Sequence, residues 1–432
     1  MSLNRLIRNK SKKYNSKRLT GEIYFYLPLF FILVPSFPSF LPETLGFQLI
    51  FIMEVVISAY LYKRYYKPQI ENNSLIIAGY FFLSTLFSLF NDSINNVVIY
   101  SDLFELAKPV AFLLFYWLYR YSTIEVEVIE KQTIRSICTI FACLSLFSIL
   151  SFIFPSIFHP IEYLLYKREN MPVHIGKAIG SFSQTYHFAY SLLLPLSLSF
   201  LHLITNFKIK YFLFFIAILS TMLLTQSRSM YISSALCILI CIILPIHYKS
   251  IRRTKKMLSV IVLLVAIVWI IVSLYIEDIA SNLSYAIDGF SLMLQGENNS
   301  VNVRQSQVQW VIENNPYLII GAGIGKGEIM LESLYSLYYY RYGALGLLLS
   351  LGIMINTGIK AYKVAQKEYR ANLSISLFYY SLSIFYFISP IATLSSCHMD
   401  SPKISFIYYG FMGMIFAKYK KIKHYEFLSS QI

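Results

Sequence analysis

Three arginines carry the strongest chemical signal in this 432-residue sequence. Arg228 lies in LTQSRSMYISS, between two apolar runs that leave almost no loop, and Arg341 lies in YYYRYGALG, beside another apolar run. Arg304 lies in the polar stretch NVRQSQVQWVIENNP. A guanidinium stays charged and binds phosphate oxygens through a rigid fork of donors. These residue types and positions predict an anionic ligand that carries phosphate or pyrophosphate.

Arg228 is the most informative of the three. A charge at the centre of a membrane helix costs about 2.5–3.5 kcal/mol, and such a residue usually faces a protein interior or a cavity. The side chain could instead extend to lipid phosphates at the membrane surface. The sequence leaves both interpretations open.

The glycine-rich stretch at 321–328, GAGIGKGE, has the glycine density of a phosphate-binding loop but not its other features. A P-loop lysine is followed by Ser or Thr, whereas Lys326 is followed by glycine, and no strand precedes the stretch. We expect Gly321, Gly323 and Gly325 to form a tight turn that lets the backbone approach a lipid headgroup.

The composition requires a membrane to position these residues. Hydrophobic residues make up 56% of the chain and charged residues 14%, against about 45–50% and 25% in soluble proteins, and the mean hydropathy is +0.57. We predict an all-α polytopic membrane protein with about twelve transmembrane helices. They lie near 22–41, 46–62, 75–90, 104–120, 134–154, 185–205, 209–225, 229–247, 257–276, 333–358, 373–396 and 403–418.

The net charge of +15 orients this layout. Of the 37 lysines and arginines, 28 fall in the terminal segments and in alternate loops, which places both termini in the cytoplasm. The predicted domains are a basic cytoplasmic tail at 1–21, one transmembrane domain at 22–418 and a second basic tail at 419–432. Two long outer loops, 155–184 and 277–332, could hold a site. Because the positive charge follows topology, we predict no nucleic-acid partner.

The cysteines do not indicate a metal centre. The five cysteines form no CxxC pair and no Cys/His cluster, so the sequence predicts neither a metal site nor a disulfide framework.

Three motifs resemble the O-antigen ligase/polymerase superfamily of bacterial membrane proteins. They are GSFSQTYHFAYSLLLPL at 180–196, LTQSRSMY at 224–231, and R-x5-W-x4-NP-x4-G-x-G-x-G from Arg304 to Gly325. The last motif continues as ESLYSLYYYRYGALGLL from Glu332. Ligases of this superfamily typically carry His-Asn where this chain has Glu332-Ser333. The sequence is therefore more similar to the Wzy-type polysaccharide repeat-unit polymerases.

The resemblance implies a metal-independent, cofactor-free glycosyltransferase with a GT-C-like architecture. It would join oligosaccharide repeat units linked to undecaprenyl pyrophosphate, on the periplasmic face of the bacterial inner membrane, and release undecaprenyl pyrophosphate. Arg228 and Arg304 would stabilise the charge that develops on the leaving pyrophosphate, with Arg341 as a third candidate. A chain-length regulator and a flippase of the same pathway are the expected protein partners.

Two residues are candidates for the general base of this reaction. Glu332 has a carboxylate at the right position, although it could instead cap the next helix or pair with an arginine. His187, in QTYHFAY, could instead be an ordinary helix-interior histidine. Lys177 and Tyr335 are expected to contact sugar or phosphate.

Two other functions remain as alternatives. A ligase would transfer the finished glycan to lipid A–core. A flippase or secondary transporter would place charges along a central pathway, whereas the unexplained basic residues of this chain cluster near one predicted face. The sequence therefore favours a polymerase.

Overall fold

Twelve α-helices make up most of the part of the chain that the structure describes. The computed structural model describes residues 32–36, 43–66, 72–95, 97, 102–165, 177–246, 299–326 and 329–430. No β-strand occurs within these ranges. The helices are α1 Glu43–Tyr65, α2 Asn72–Ile94, α3 Leu103–Arg120, α4 Val126–Ile153, α5 Pro155–Leu165, α6 Thr185–Thr205, α7 Ile209–Leu224, α8 Arg228–Ile246, α9 Asn299–Asn314, α10 Leu334–Glu368, α11 Leu373–Ala392 and α12 Pro402–Ser430.

Ten of these helices coincide with predicted spans, namely α1 to α4, α6 to α8 and α10 to α12. By length and composition, α2, α4, α6, α10 and α11 could each cross a membrane. These helices confirm the prediction of a helical, membrane-embedded protein. The basic tail at 1–21, most of the first predicted span and the span at 257–276 lie outside the described residues. The total of twelve spans and the sidedness stay predictions.

Three elements differ from the sequence-based layout. The outer loop at 155–184 contains α5, and the loop at 277–332 contains α9, so Arg304 lies on a helix. Polar residues interrupt the apolar ones throughout the α9 sequence, NSVNVRQSQVQWVIEN, which is why a search for apolar runs passes over it. The last helix, α12, continues to Ser430, through most of the segment predicted as a tail.

Helices α6 and α11 form the centre of the protein. Nearly all of their residues are buried, in keeping with sequences that are apolar on every side. The serines of α6 are compatible with this burial, because Ser191, Ser197 and Ser199 each donate to the backbone carbonyl three residues earlier. Such local bonds satisfy hydroxyl groups where water is absent.

Helix α10 is broken at Gly343, where φ is 69° and ψ is −178°. The segment that follows α9 packs into this break: the Ala322 amide donates to the Tyr340 carbonyl at 2.7 Å, and the Ala344 amide donates to the Leu318 carbonyl at 2.8 Å. A β-carbon at Gly321 would collide with the Arg341 carbonyl. The glycine-rich stretch therefore makes its close backbone approach to the broken turn of α10, and its predicted contact with a headgroup stays a prediction.

Candidate active site

Arg228 is placed by a tight turn between α7 and α8. It is the first residue of α8, and Gln226, two residues earlier, has φ of 51°, in the left-handed region that non-glycine residues rarely occupy. Strained conformations of this kind cluster at functional sites. The half-buried Arg228 thus combines its own charge with the positive end of a helix dipole, which together favour an anion.

Lys177 lies close to Arg228. The Ala178 amide donates to the Leu224 carbonyl at 2.9 Å, which ties this segment to the end of α7. Burial lowers the pKa of Lys177, and the neighbouring charge of Arg228 lowers that pKa further. Two like charges held side by side store repulsion that a bound anion would relieve.

Arg304 reaches the same region from α9. Its Nε donates to the Ser395 carbonyl at 3.0 Å, and its Nη2 lies 3.1 Å from Oε2 of Glu332. Ser229, next to Arg228 in sequence, donates through Oγ to the Oγ of Ser395 at 2.8 Å. Ser395 therefore joins the helices that carry the two arginines, although 76 residues separate Arg228 from Arg304 in sequence.

The backbone of Glu332 is held on two sides. Its amide donates to Oε1 of Gln307 on α9 at 3.2 Å, and its carbonyl accepts from the Cys397 amide at 2.7 Å. The next residue, Ser333, caps α10 by accepting from the Ser336 amide at 3.1 Å. Capping is thus performed by Ser333, and the Glu332 side chain pairs with Arg304.

His187 lies in a second layer of the site. Its Nδ1 lies 3.2 Å from Nδ1 of His398, and the ring of Tyr190 stacks on His398 with ring centroids 4.5 Å apart. The adjacent Tyr186 interacts electrostatically with Glu332 and Arg304 and is hydrogen-bonded to Ser396. Tyr186 therefore connects the histidine pair to the ion pair. Burial and the nearby His187 hold the pKa of His398 well below its usual value.

Arg341 occupies a different environment from the other predicted arginines. Its side chain is fully buried, and Nη1 contacts Oε2 of Glu105 at 2.7 Å and Oδ2 of Asp400 at 3.0 Å. Lys108 bridges the same two carboxylates at 2.8 and 2.9 Å, and Lys326 pairs with Glu105. We call Glu105, Lys108, Lys326, Arg341 and Asp400 the buried ion cluster. Because Arg341 is paired within this cluster, the predicted contact of Arg341 with substrate would require the cluster to open.

The buried ion cluster holds three cations and two carboxylates. Burial would raise the pKa of Asp400, but Lys108 and Arg341 outweigh it and hold that pKa below its usual value. Burial lowers the pKa of Lys326; Glu105 opposes this shift, whereas Lys108 and Arg341 add to it. Lys108 and Arg341 therefore already balance the charge of the two carboxylates without Lys326.

The structure thus places Lys177 close to Arg228 and Arg304 against Glu332, and Ser395 links the two pairs. Tyr335 lies in the first turn of α10 and donates its hydroxyl to the Pro390 carbonyl at 3.0 Å. The residues that sequence reasoning missed are Tyr186, Gln307, Ser395 and His398. The signal for two of them was the polar density of TLSSCHMDS, between α11 and α12.

Comparison with known proteins adds no functional information to the geometry described above. No protein-family model matches the chain, and no curated protein matches it significantly. The resemblance to the O-antigen ligase/polymerase superfamily therefore rests on the three motifs. Within the described ranges, no group of three His, Cys, Asp or Glu residues is arranged to hold a metal ion.

Proposed function

We propose that this protein is a polysaccharide repeat-unit polymerase of the O-antigen type. It would transfer a growing glycan from undecaprenyl pyrophosphate to a hydroxyl group of another lipid-linked repeat unit. The observation that supports this proposal most directly is that two pairs, Lys177 with Arg228 and Arg304 with Glu332, are linked through the hydrogen bond between Ser229 and Ser395. Three cations suit a pyrophosphate, and a carboxylate suits a proton acceptor.

In the proposed reaction, an acceptor hydroxyl oxygen forms a bond to the anomeric carbon of the donor. The bond from that carbon to the pyrophosphate oxygen breaks, and its electron pair leaves with undecaprenyl pyrophosphate. Negative charge therefore grows on the leaving oxygen. Arg228, at the N-terminus of α8, and Arg304, fixed through Ser395, would meet that charge with donors already in place.

The proton of the attacking hydroxyl group needs an acceptor. We assign this role to Glu332, because its carboxylate lies beside Arg304 and is 41% exposed, so a substrate can reach it. His187 lies behind Tyr186 with one ring nitrogen directed to His398, and we assign the histidine pair a positioning role for Tyr186. Arg304 would keep Glu332 oriented until the acceptor displaces it.

The polymerase assignment is preferred to a ligase because of residues 332–333. Ligases of the superfamily typically carry His-Asn there, whereas this chain has Glu332 paired with Arg304 and Ser333 engaged as a helix cap. A transporter would require charged residues along a path through the protein. The half-buried charges described above lie instead at the end of the protein where α6, α8 and α10 begin.

The test is deletion of the gene followed by examination of the surface glycan and the lipid-linked pool. A polymerase predicts single repeat units on lipid A–core. Full-length polymer retained on undecaprenyl pyrophosphate would indicate a ligase, and repeat units trapped in the cytoplasm would indicate a flippase. Either of these last two outcomes would overturn the proposal.

A further inference from the structure

Helix α5, Pro155–Leu165, reverses the amphipathic pattern of a helix that faces water. Its side chains Ile157, Ile161 and Leu164 are three or four residues apart and form one stripe along the helix. All three are exposed, Ile157 to 61% and Leu164 to 67%, whereas the carboxylate residue Glu162 is only 7% exposed. None of the residues assigned to the proposed reaction belongs to α5. We call Ile157, Ile161 and Leu164 the apolar stripe of α5.

The polar side of α5 rests on α4. Ser151, near the end of α4, donates its hydroxyl to Oε1 of Glu162 at 2.7 Å. The ring of Phe158 packs edge-to-face on Phe147 of α4, with ring centroids 5.6 Å apart. A buried carboxylate requires hydrogen-bond donors, and Ser151 supplies one. These contacts hold Glu162 against the protein and leave the apolar stripe on the outside.

Helix α5 lies across the end of α4 and does not extend it. Ser151 and Glu162 are 11 residues apart, which in one straight helix would separate them by about 16 Å. Their side chains are instead hydrogen-bonded. The turn occurs at Phe154, where the backbone leaves the helical conformation with φ of −122° and ψ of 62°.

The end of α4 is also where the membrane surface is expected. Helix α4 has 28 residues, so it rises about 42 Å and exceeds the hydrocarbon core of a bilayer, about 30 Å thick. Exposed apolar side chains continue along the chain from Leu146, Phe152 and Ile153 of α4 into the apolar stripe of α5. The surface that α4 presents to lipid therefore runs on into α5. In the predicted layout, this is the outer surface of the membrane.

The orientation of α5 distinguishes lipid from water as its surroundings. In water, the hydrophobic effect favours burial of the stripe by about 25 cal/mol per Å², and Glu162 would face outward. In lipid both preferences reverse. With 11 residues, or about 16 Å, α5 is too short to cross the hydrocarbon core.

We propose that α5 is an interfacial helix that lies along the outer surface of the membrane. Its apolar stripe inserts among the acyl chains of the outer leaflet, and Glu162 stays against α4. Amphipathic helices bind bilayers by burying an apolar face at the boundary between headgroups and acyl chains. Insertion of α5 holds the start of the predicted outer loop 155–184, which also carries Lys177, at the level of the lipid headgroups.

The experiment places nitroxide labels on the full-length protein in phospholipid vesicles. Single cysteines replace Ile157, Ile161 or Leu164 in a Cys143→Ser background, because Cys143 is the exposed native cysteine. Paramagnetic resonance then measures the accessibility of each label to oxygen, which concentrates in lipid, and to a nickel chelate, which stays in water.

Two exposed positions serve as matched controls, Leu146→Cys on the span α4 for lipid and Gln309→Cys on α9 for water. The ratio of oxygen to nickel accessibility along the stripe should exceed the ratio at Gln309 severalfold. Labels at 157 and 164 should lie at the same depth. A helix that plunged into the bilayer would separate them by about 10 Å.

Three results would overturn the proposal. The first is nickel accessibility along the stripe equal to that at Gln309, which would place α5 in water. The second is low accessibility to both reagents, which would show that protein, such as a second copy of this chain, covers the stripe. The third is the depth difference of about 10 Å. Fluorescence of Ile161→Trp gives a measure without cysteine chemistry: brominated phospholipid should quench it beyond the wild-type background, and no added quenching would also overturn the proposal.

Discussion

The guanidinium group of Arg304 and the carboxylate of Glu332 form an ion pair with an N–O distance of 3.1 Å, and their side chains are 28% and 41% exposed. A pair this exposed contributes little to stability, about 0–1 kcal/mol. Its position is nevertheless tightly specified, because Ser395 fixes the arginine and Gln307 fixes the backbone of the glutamate. Tight positioning with little stabilisation is the expected property of a group that must exchange its partner during a reaction.

Loss of either proposed pyrophosphate ligand should abolish efficient chain lengthening. Arg228→Ala and Arg304→Ala each remove donors aimed at the leaving group, and the loss of one such donor typically lowers kcat about 100- to 1,000-fold. Arg304→Lys keeps the charge but loses the fork, so its activity should lie between the wild type and the alanine variant. The measurement is the rate of polymer formation from lipid-linked repeat units in reconstituted vesicles.

The matched control for these arginine variants is Lys367→Ala. Lys367 forms an exposed ion pair with Glu426 near the end of α10, far along the chain from the site. This variant should polymerise at the wild-type rate. Full-length polysaccharide from Arg228→Ala or Arg304→Ala, at normal protein levels in the membrane, would refute the proposed charge stabilisation.

The two candidates for the proton acceptor can be distinguished by kinetics. Glu332→Gln should retain donor binding and lose about 100- to 10,000-fold in turnover, as expected for removal of a general base. His187→Gln should have a smaller effect on turnover, because it alters only the packing behind Tyr186. Single-turnover rates and donor dissociation constants measure these effects separately. The opposite ranking of the two variants would transfer the role of base to His187.

Donor binding should depend on alkaline pH through Lys177. A lysine is charged below its pKa, and burial together with Arg228 lowers the pKa of Lys177. Its contribution to anion binding is therefore lost at a lower pH than for an ordinary lysine. Lys177→Arg stays charged, so the difference in pyrophosphate affinity between this variant and the wild type should widen as pH rises. When the same comparison is made in an Arg228→Gln background, the repulsion between Arg228 and Lys177 is absent. The difference in pyrophosphate affinity should then begin to widen at a higher pH.

An affinity difference that is constant across the alkaline range would contradict this assignment for Lys177. The comparison uses inorganic pyrophosphate as the probe in every protein. The titration of pyrophosphate itself therefore cancels in the affinity difference, and the remaining pH dependence comes from Lys177.

Hydropathy was sufficient to predict ten helices and the positions of Arg228 and Glu332 at or near helix ends. It could not predict α9, because polar residues interrupt the apolar ones throughout that helix, which packs against α10. It also could not predict that Gly343 breaks α10, since a glycine within an apolar run has no local sign of positive φ. The break determines where the glycine-rich stretch packs.

Arg341 illustrates why residue type alone does not define a site. Its sequence position matches that of a ligand-binding arginine, yet its partners are Glu105, 236 residues away, and Asp400. No local pattern predicts contacts between helices so distant in sequence. The spacing of Glu105 and Lys108 was the available clue, since i,i+3 charges within an apolar run usually satisfy one another or a third partner.

The excess positive charge of the buried ion cluster predicts unequal effects of its variants. Asp400→Asn leaves Glu105 alone with three cations and should lower the free energy of unfolding by about 3–5 kcal/mol, as for other broken buried pairs. Lys326→Met leaves two cations with two carboxylates. Because the Lys326 side chain is 37% exposed, this change should cost at most about 1 kcal/mol. Thermal unfolding in detergent measures both, and equal destabilisation would contradict the charge count.

The acid dependence of the same cluster has a definite sign. Lys108 and Arg341 hold the pKa of Asp400 below its usual value, against the effect of burial. The stabilisation from Asp400 is therefore fully present above the pKa of an unfolded aspartate and is lost as pH falls toward the lowered value. Asp400→Asn should remove this part of the acid-induced loss of stability.

The packing of the glycine-rich stretch gives a prediction with an internal control. A β-carbon at Gly321 would overlap the Arg341 carbonyl. A β-carbon at Gly343 would lie 2.6 Å from the carbonyl carbon of Ile319, and Gly343 itself has φ of 69°. Gly321→Ala and Gly343→Ala should therefore separate the stretch from the broken turn of α10 and lower the unfolding temperature. Gly352→Ala, on the same helix, meets no atom within 4 Å.

In a helix interior with open space, alanine is more favourable than glycine by about 1 kcal/mol. Gly352→Ala should therefore leave the unfolding temperature unchanged or raise it, while the other two variants lower it. Because the buried ion cluster depends on the same turn through the bonds of Arg341 to the Ile324 carbonyl, at 3.3 and 3.1 Å, Gly321→Ala should also reduce the additional cost of Asp400→Asn. A double-mutant cycle measures this coupling, and strict additivity would show that the turn and the cluster are independent.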